Sequence, residues 1–90
     1  MRLRITETAF DELSEIGLYI GADNPVAARV VVTRIRQVID RIAEFPYMAR
    51  PIDQSGVRIF PVRPFPYLIF YTVEKDIIIR NIRHAHRQRL

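Results

Sequence analysis

Residues 57–84, VRIFPVRPFPYLIFYTVEKDIIIRNIRH, constrain the fold more than any other part of this chain. The stretch holds three runs of β-branched and aromatic residues, separated by Pro61, Pro64 and Pro66 and by the turn Glu74-Lys75-Asp76. Such residues favour strands, and a short polar break between two runs is typical of a hairpin. The sequence therefore predicts three short strands, the last two paired antiparallel. Continuous apolar runs of this kind are typical of strands with little solvent on either face.

The first part of the chain predicts one strand and two helices that cover this sheet. Residues 1–5 alternate apolar and basic side chains, which is the period of a half-buried strand. Thr8 opens a T-x-x-D pattern close to a capping box, so the first helix is predicted to start there. Asn24 and Pro25 predict the cap and first residue of a second helix, which runs to about Glu44.

Apolar residues at helical spacing predict which side of each helix is buried. In the first helix Phe10 and Tyr19 are predicted to widen the apolar stripe, and the acidic residues lie mostly elsewhere. The arginines of the second helix are predicted to form its solvated side: Arg29, Arg34, Arg36 and Arg41. Arg80 is predicted to be a strand residue with its hydrogen bonds satisfied.

The predicted fold class is α+β, with an N-terminal strand, an antiparallel helical hairpin and then three antiparallel strands. The hairpin is expected to lie against one face of a mainly antiparallel sheet. Ninety residues are the length of one domain, and no internal boundary is visible, so a single domain spanning residues 1–90 is expected.

Composition excludes several classes of protein. The chain has no cysteine, which excludes a disulfide framework and a thiolate metal site. No stretch approaches the roughly 20 apolar residues of a membrane span, and the N-terminus lacks the apolar core of a signal peptide. We therefore expect a cytoplasmic protein without a membrane partner. Hydrophobic residues make up 49% of this short chain, so part of the apolar surface is expected to bind a partner.

Basic charge is concentrated in the second half of the chain. The net charge is +4, and thirteen of the fourteen basic residues are arginine, which favours bidentate contacts to carboxylate or phosphate. Residues 1–45 carry a net charge of −1, whereas residues 46–90 carry +5. Two interpretations remain open. The basic half is either a solvated surface or a site for an anionic partner, which would be nucleic acid or an acidic protein segment.

Common catalytic signatures are lacking: the sequence has no Gly-rich phosphate loop, no HExxH and no nucleophile elbow. His84 and His86 would lie on the same side of a strand, but no carboxylate follows Asp76, so neither a metal site nor a cofactor is predicted. A metal-free scheme remains possible, in which arginines bind a phosphate and a histidine acts as general acid or base in RNA cleavage. The residues of that scheme are Arg58, Arg63, Arg83, His84, His86, Tyr67 and Tyr71. The alternative for the two tyrosines is a place in the core, on one face with Ile69 and Val73.

The order and spacing of these features resemble the ParE toxins of the ParE/RelE superfamily, the toxin half of type II toxin–antitoxin (plasmid stabilisation) modules. The resemblance covers nearly the whole chain. It rests on Ala9-Phe10-Asp11-Glu12-Leu13 with Ile16, Tyr19 and Ile20; on Asn24-Pro25-Val26-Ala27-Ala28; on residues 35–39; on Phe45, Pro46, Arg50, Arg58 and Val62; on Pro66-Tyr67-Leu68-Ile69-Phe70-Tyr71; and on Ile77-Ile78-Ile79, Ile82-Arg83-His84 and Arg87.

This resemblance implies a strand-helix-helix-three-strand fold and a small ParD-like antitoxin partner whose C-terminal segment folds across the toxin. ParE-like members are understood to poison DNA gyrase, whereas RelE-like members cut messenger RNA on the ribosome. The tail HAHRQRL is not an aromatic-rich nuclease tail, and the middle strand region lacks lysine, so the ParE-like branch, inhibitory rather than catalytic, is favoured. Direct binding of nucleic acid is left open. The residues expected to bind antitoxin or target are Arg58, Arg63, Arg83, His84, His86 and Arg87; the alternative catalytic set is His84, Arg83, Arg58 and Arg63.

Overall fold

A computed structural model of the protein describes residues 1–86, which form a four-stranded sheet and two helices. The elements are β1 (Leu3–Ile5), α1 (Glu7–Gly21), α2 (Pro25–Glu44), β2 (Arg58–Pro61), β3 (Tyr67–Val73) and β4 (Ile77–His84). The strand order is β1-β4-β3-β2; β2, β3 and β4 pair antiparallel, and β1 pairs parallel to β4. The predicted element order and the mainly antiparallel sheet are confirmed. Neither described helix is both long and apolar enough to cross a membrane.

The two helices cover one face of the sheet. Along β3 the buried apolar residues are Tyr67, Ile69 and Tyr71, and they share one core with residues of both helices. On the other face Leu68 and Phe70 are half-buried and Thr72 is buried. The prediction of little solvent on either face is confirmed for the face that the helices cover. On the other face the residues of the apolar runs are half-buried or buried rather than exposed. The core is formed by Ala9, Leu13, Val31, Ile35, Val38, Ile39, Ile42, Val62, Tyr67, Ile69, Tyr71, Ile77, Ile79 and Ile82.

The apolar stripe of α1 is narrower than predicted. Ala9 and Leu13 are buried and Ile16 and Ile20 pack against the core, but Phe10 is 58% and Tyr19 is 69% exposed. Leu18 is exposed as well. A helix that packs on a sheet and on one neighbouring helix leaves its third side uncovered, so these large side chains remain on the surface.

A β-bulge in β4 changes which residues face the core. Asn81 lies opposite Phe70 and Ile79 lies opposite Tyr71, so Arg80 is the extra residue. As a result Ile79 and Ile82 both face the core although they are three residues apart. Arg80 donates from Nε to Thr72 Oγ1 at 2.9 Å and from Nη2 to Glu74 Oε2 at 2.7 Å, which confirms its predicted role. Hydrogen bonds from Arg80 and Thr72 lower the pKa of the Glu74 carboxyl.

The first helix begins earlier than the sequence predicts. Its N-cap is Thr6, not Thr8, because β1 ends at Ile5 and three hydrogen bonds fix Thr6 in place. Thr6 Oγ1 accepts from the Ala9 N–H at 3.0 Å and donates to the carbonyl of Arg80 at 3.0 Å, and the Thr6 N–H donates to the carbonyl of Ile79 at 3.0 Å. The tertiary bonds to β4 override the local T-x-x-D pattern.

The second helix begins and ends as predicted. The Asn24 side chain accepts from the Ala27 N–H at 3.0 Å, and Pro25 occupies the first helical position. Of the four arginines predicted to be solvated, Arg29, Arg36 and Arg41 are exposed, but Arg34 is half-buried. Arg34 donates from Nε to the carbonyl of Arg63 at 2.7 Å, so the prediction is wrong for this residue. Arg34 ties α2 to the loop between β2 and β3.

Replacing Thr6 by alanine is expected to lower the free energy of unfolding by about 1–2 kcal/mol, because the cap and the bond to Arg80 are both lost. Thr8→Ala is the matched control, since Thr8 is exposed in the first turn, and it is expected to change stability by no more than about 0.5 kcal/mol. Urea unfolding followed by circular dichroism measures both. A larger loss for Thr8→Ala than for Thr6→Ala would contradict the assigned cap.

Candidate functional site

The structure distributes the predicted site residues over three places. Arg58 lies at the start of β2, where its Cα partner is Tyr71, whereas His84 lies at the end of β4, where its partner is Tyr67. These two positions are four residues apart along β3, or about 13 Å at the usual rise of a strand. Arg63 lies in the loop beyond β2, at the His84 end of the sheet. Arg87 falls outside the described residues.

The surroundings of Arg58 are mostly protein rather than solvent. Arg58 is half-buried, and one of its Nη groups donates to the carbonyl of Ala49. Its guanidinium carbon lies 5.1 Å from the centre of the Tyr47 ring, close enough for a cation–π contact. The Nε atom of Arg58 is buried and has no hydrogen-bond partner among the described residues. Arg58 is therefore a cation that is held in place but whose donors are only partly used.

Tyr71 supports this region from the core. It is fully buried, and its hydroxyl donates to the carbonyl of Pro46 at 2.9 Å. Burial raises the pKa of Tyr71, against opposing effects that include the positive charge of Arg58, so the phenol stays protonated at neutral pH. Tyr67 is 6% exposed. The interpretation of both tyrosines as core residues is confirmed.

Arg63 and His86 line one hollow at the other end of the sheet. Phe65 and Tyr67 also contribute to its wall. His84 stands next to this hollow, with its ring 5.3 Å from that of Tyr67 and 5.8 Å from that of His86, edge-on in both cases. The His86 N–H donates to His84 Nδ1 at 3.1 Å. This hollow is the one place in the described part of the chain where predicted cationic and acid–base residues meet.

Arg83 lies on the sheet face turned away from the helices. Its Cα partner is Leu68, and its guanidinium carbon lies 5.5 Å from the centre of the Phe70 ring. Its Nε atom is 3.7 Å from Glu12 Oε2, across the edge of β4. Arg83 therefore cannot share a small ligand with Arg58 on the opposite face. No three His, Asp or Glu side chains within residues 1–86 group in a way that would hold a metal ion.

The segment after α2 forms an apolar surface that none of the sequence predictions included. Phe45 is 50% and Tyr47 is 63% exposed, with Met48 and Ile52 also on the surface. We name these four residues the 45–52 patch. The same segment forms a hollow that Arg41, Glu44, Phe45, Pro46, Tyr47 and Met48 line. The sequence contains a signal of this surface: large apolar residues are dense around Pro46, where α2 has ended and no helix or strand follows that could bury them.

Comparison with known proteins places the whole chain in a family. Residues 3–89 match the family model described as "ParE toxin of type II toxin-antitoxin system, parDE". The protein named "Putative toxin Y4kP" from Sinorhizobium fredii is 40% identical over 87 residues, which are 97% of this chain and 91% of that protein. "Toxin RelE2" from Caulobacter vibrioides is 36% identical over 83 residues, covering 91% and 92% of the two chains.

A solved structure has the same fold. A chain from the structure titled "Chromosomal ParDE TA system from P. aeruginosa" superposes with a TM-score of 0.85, over 94% of this chain and 96% of that chain. Its sequence identity is 24%, so this likeness supports the fold and not a function. The family match over residues 3–89 carries the assignment. The chain belongs to the ParE toxin family of type II toxin–antitoxin systems.

Proposed function

We propose that this toxin inhibits DNA gyrase by binding to it, and that a ParD-like antitoxin neutralises the toxin in the cytoplasm. The observation that carries the inhibitory mode is that neither Arg58 nor Arg83 shares a site with the histidines. Of the predicted arginines within residues 1–86, only Arg63 lies at their end of the sheet. Metal-free RNA cleavage requires a cation and an acid–base group within hydrogen-bond reach of one phosphate. Arg58 lies about 13 Å along the sheet from the His84 position, and Arg83 is on the other face. A surface that binds a large protein has no such requirement.

The antitoxin part of the proposal is supported by the character of the exposed surface. Phe10, Leu18 and Tyr19 on α1 are exposed, as is the 45–52 patch, and several arginines of α2 lie between them in the sequence. A segment that folds on binding gains most of its affinity by covering apolar surface of this kind. Such a partner would also stabilise the toxin, since it binds only the folded state.

A second candidate function is ribosome-dependent cleavage of messenger RNA. The hollow that Arg63 and His86 line, with His84 beside it, is the observation that favours it. The relative named "Toxin RelE2" points in the same direction by its name. In this case His84 or His86 would act as the acid–base group and Arg63 would bind the phosphate.

The test is a paired assay on antitoxin-free protein, with gyrase supercoiling and cleavage-complex formation in one tube and ribosome-dependent cutting of messenger RNA in the other. We expect supercoiling to be lost, messenger RNA to stay intact, and supercoiling to return when antitoxin is added. Cutting of RNA with gyrase unaffected would overturn the proposal in favour of the second function. In that outcome His84→Gln and His86→Gln should lower cutting about 10²–10⁴-fold if either residue is the acid–base group.

The assignment of single residues is tested in the same assay. Arg83→Ala is expected to weaken inhibition of gyrase, and so is Arg87→Ala, whereas Arg29→Ala serves as a control from the exposed side of α2. Circular dichroism checks that each variant is folded. Folded Arg83→Ala and Arg87→Ala variants with full toxicity would show that neither arginine contributes to the toxic function.

A further inference from the structure

Arg58 is a cation without a carboxylate partner within residues 1–86. The ion pairs of the described residues are Arg4 with Asp76, Arg80 with Glu74 and Arg83 with Glu12. The Nε–H of Arg58 is buried and has no acceptor within residues 1–86, and a guanidinium cannot lose its proton to relieve the cost. A buried donor of this kind is expected to have an acceptor in the protein's bound state.

The unused part of the guanidinium has the shape that a carboxylate requires. One Nη group, Nη1, is committed to the carbonyl of Ala49. The Nε–H and one Nη2–H point the same way from the other edge of the planar group, and such an edge binds both oxygens of a carboxylate. The edge is thus suited to a bidentate ion pair rather than to a single hydrogen bond.

Tyr47 lies over this guanidinium and connects it to the surface. Its ring centre is 5.1 Å from the guanidinium carbon, yet the residue is 63% exposed, so little of its apolar area is buried there. The ring can therefore turn aside for a ligand at small cost, or stay and cover it. Phe45 and Met48 line the same hollow as Tyr47, which places an exposed apolar surface next to the cation.

The charges near the patch favour a negative ligand. Arg41 precedes the patch in the sequence and Arg50 lies within it, between Met48 and Ile52. Both arginines are exposed, and neither has an ion pair among the described residues. Of the nearby acids, Asp53 accepts hydrogen bonds from Ser55 within its own turn, and these lower the pKa of its carboxyl. Glu44 lines the hollow beside Arg41, but neither Glu44 nor Asp53 forms an ion pair with the arginines of this segment among the described residues.

We propose that Arg58 is the anchor for one carboxylate of the antitoxin, and that the apolar side chain next to that carboxylate is buried on the 45–52 patch. The proposal rests on the proposed function, because it requires that an antitoxin binds this toxin. The ligand chemistry is an acidic and hydrophobic peptide segment, and the Asp or Glu pairs bidentately with the Nε–Nη2 edge. This interaction would give the Nε–H an acceptor, which none of residues 1–86 provides.

The test uses the antitoxin that neutralises the toxin in the assay above. Each Asp and Glu of this antitoxin is changed in turn to Asn or Gln, and affinities are measured for wild-type toxin and for Arg58→Lys. One antitoxin variant is expected to bind the wild-type toxin about 10–100-fold more weakly than the unchanged antitoxin does. Against the Arg58→Lys toxin, the same antitoxin change is expected to cause little further loss of affinity. Arg2→Lys, at an exposed position outside the patch, is the matched control, and the antitoxin variant should lose as much affinity for it as for the wild-type toxin.

A second measurement does not depend on a variant that folds. In ¹⁵N-labelled wild-type toxin, the Nε–H resonance of Arg58 is expected to shift and to exchange more slowly when antitoxin binds, while that of Arg2, outside the patch, stays unchanged. Antitoxin binding without coupling to Arg58 and without this shift would overturn the inference but leave the proposed function standing. A toxin that no antitoxin binds or neutralises would overturn both.

Discussion

Replacing Ile79 by alanine is expected to lower the free energy of unfolding by about 2–5 kcal/mol, a large share of the stability of a domain this small. Ile79 is fully buried in the middle of β4, with Ile5 of β1 and Tyr71 of β3 as its Cα partners on either side. The loss combines the transfer of the missing methyl and methylene groups with the cavity left between the sheet and the helices. Urea unfolding with circular dichroism as the signal measures the change.

The neighbouring residue provides a matched control, because Ile78 has the same side chain in the same strand. It points to the face that the helices do not cover, where its Cα partners are Arg4 and Thr72, and it is half-buried. Ile78→Ala is expected to cost no more than about half as much as Ile79→Ala. Equal losses for the two variants would mean that the uncovered face is as well packed as the core, contrary to the fold described above.

The run Ile77-Ile78-Ile79 shows how far the sequence predicts the fold. Three consecutive isoleucines predict a strand, but they do not reveal which of the two faces is covered. The two helices cover only one face of the sheet, and their position decides which isoleucines are buried. The bulge at Arg80 then brings Ile82 to the same face as Ile79. The order of elements was predictable because propensity and periodicity act locally. The face of the sheet to which each side chain of β4 points was not predictable in this way, because it depends on the register between strands that are distant in sequence.

The candidate site was less predictable than the fold for the same reason. Arg58 and Arg83 are both strand arginines in the sequence, yet pairing with Tyr71 and with Leu68 places them on opposite faces. The partner of Arg58 is a backbone carbonyl nine residues away, in a segment without regular structure. Likewise Thr8 had the better local capping pattern, but Thr6 has the bonds to β4. Contacts between distant segments decided each case.

Glu12 is another residue whose role depends on such a contact, and Glu12→Ala is expected to lower the free energy of unfolding by about 1–3 kcal/mol. Strand β1 pairs with β4 only as far as Ile79, so the next part of that edge has no strand beside it. Glu12 Oε1 accepts from the Ile82 N–H at 2.8 Å and from Asn81 Nδ2 at 3.3 Å. The side chain thus takes the place of a missing strand, and its removal leaves a buried residue's N–H without an acceptor.

Two variants separate this hydrogen bond from the charge of the side chain. Glu12→Gln keeps an oxygen that can accept from Ile82, so it should lose mainly the 3.7 Å pair with Arg83, which is half exposed and worth about 0–1 kcal/mol. Glu15→Ala removes an exposed acid of the same helix and should change stability by no more than about 0.5 kcal/mol. Urea unfolding of the three variants, with amide hydrogen exchange at Ile82, measures these differences. If Glu12→Ala matched Glu15→Ala and left exchange at Ile82 unchanged, α1 would be held to β4 by apolar packing alone.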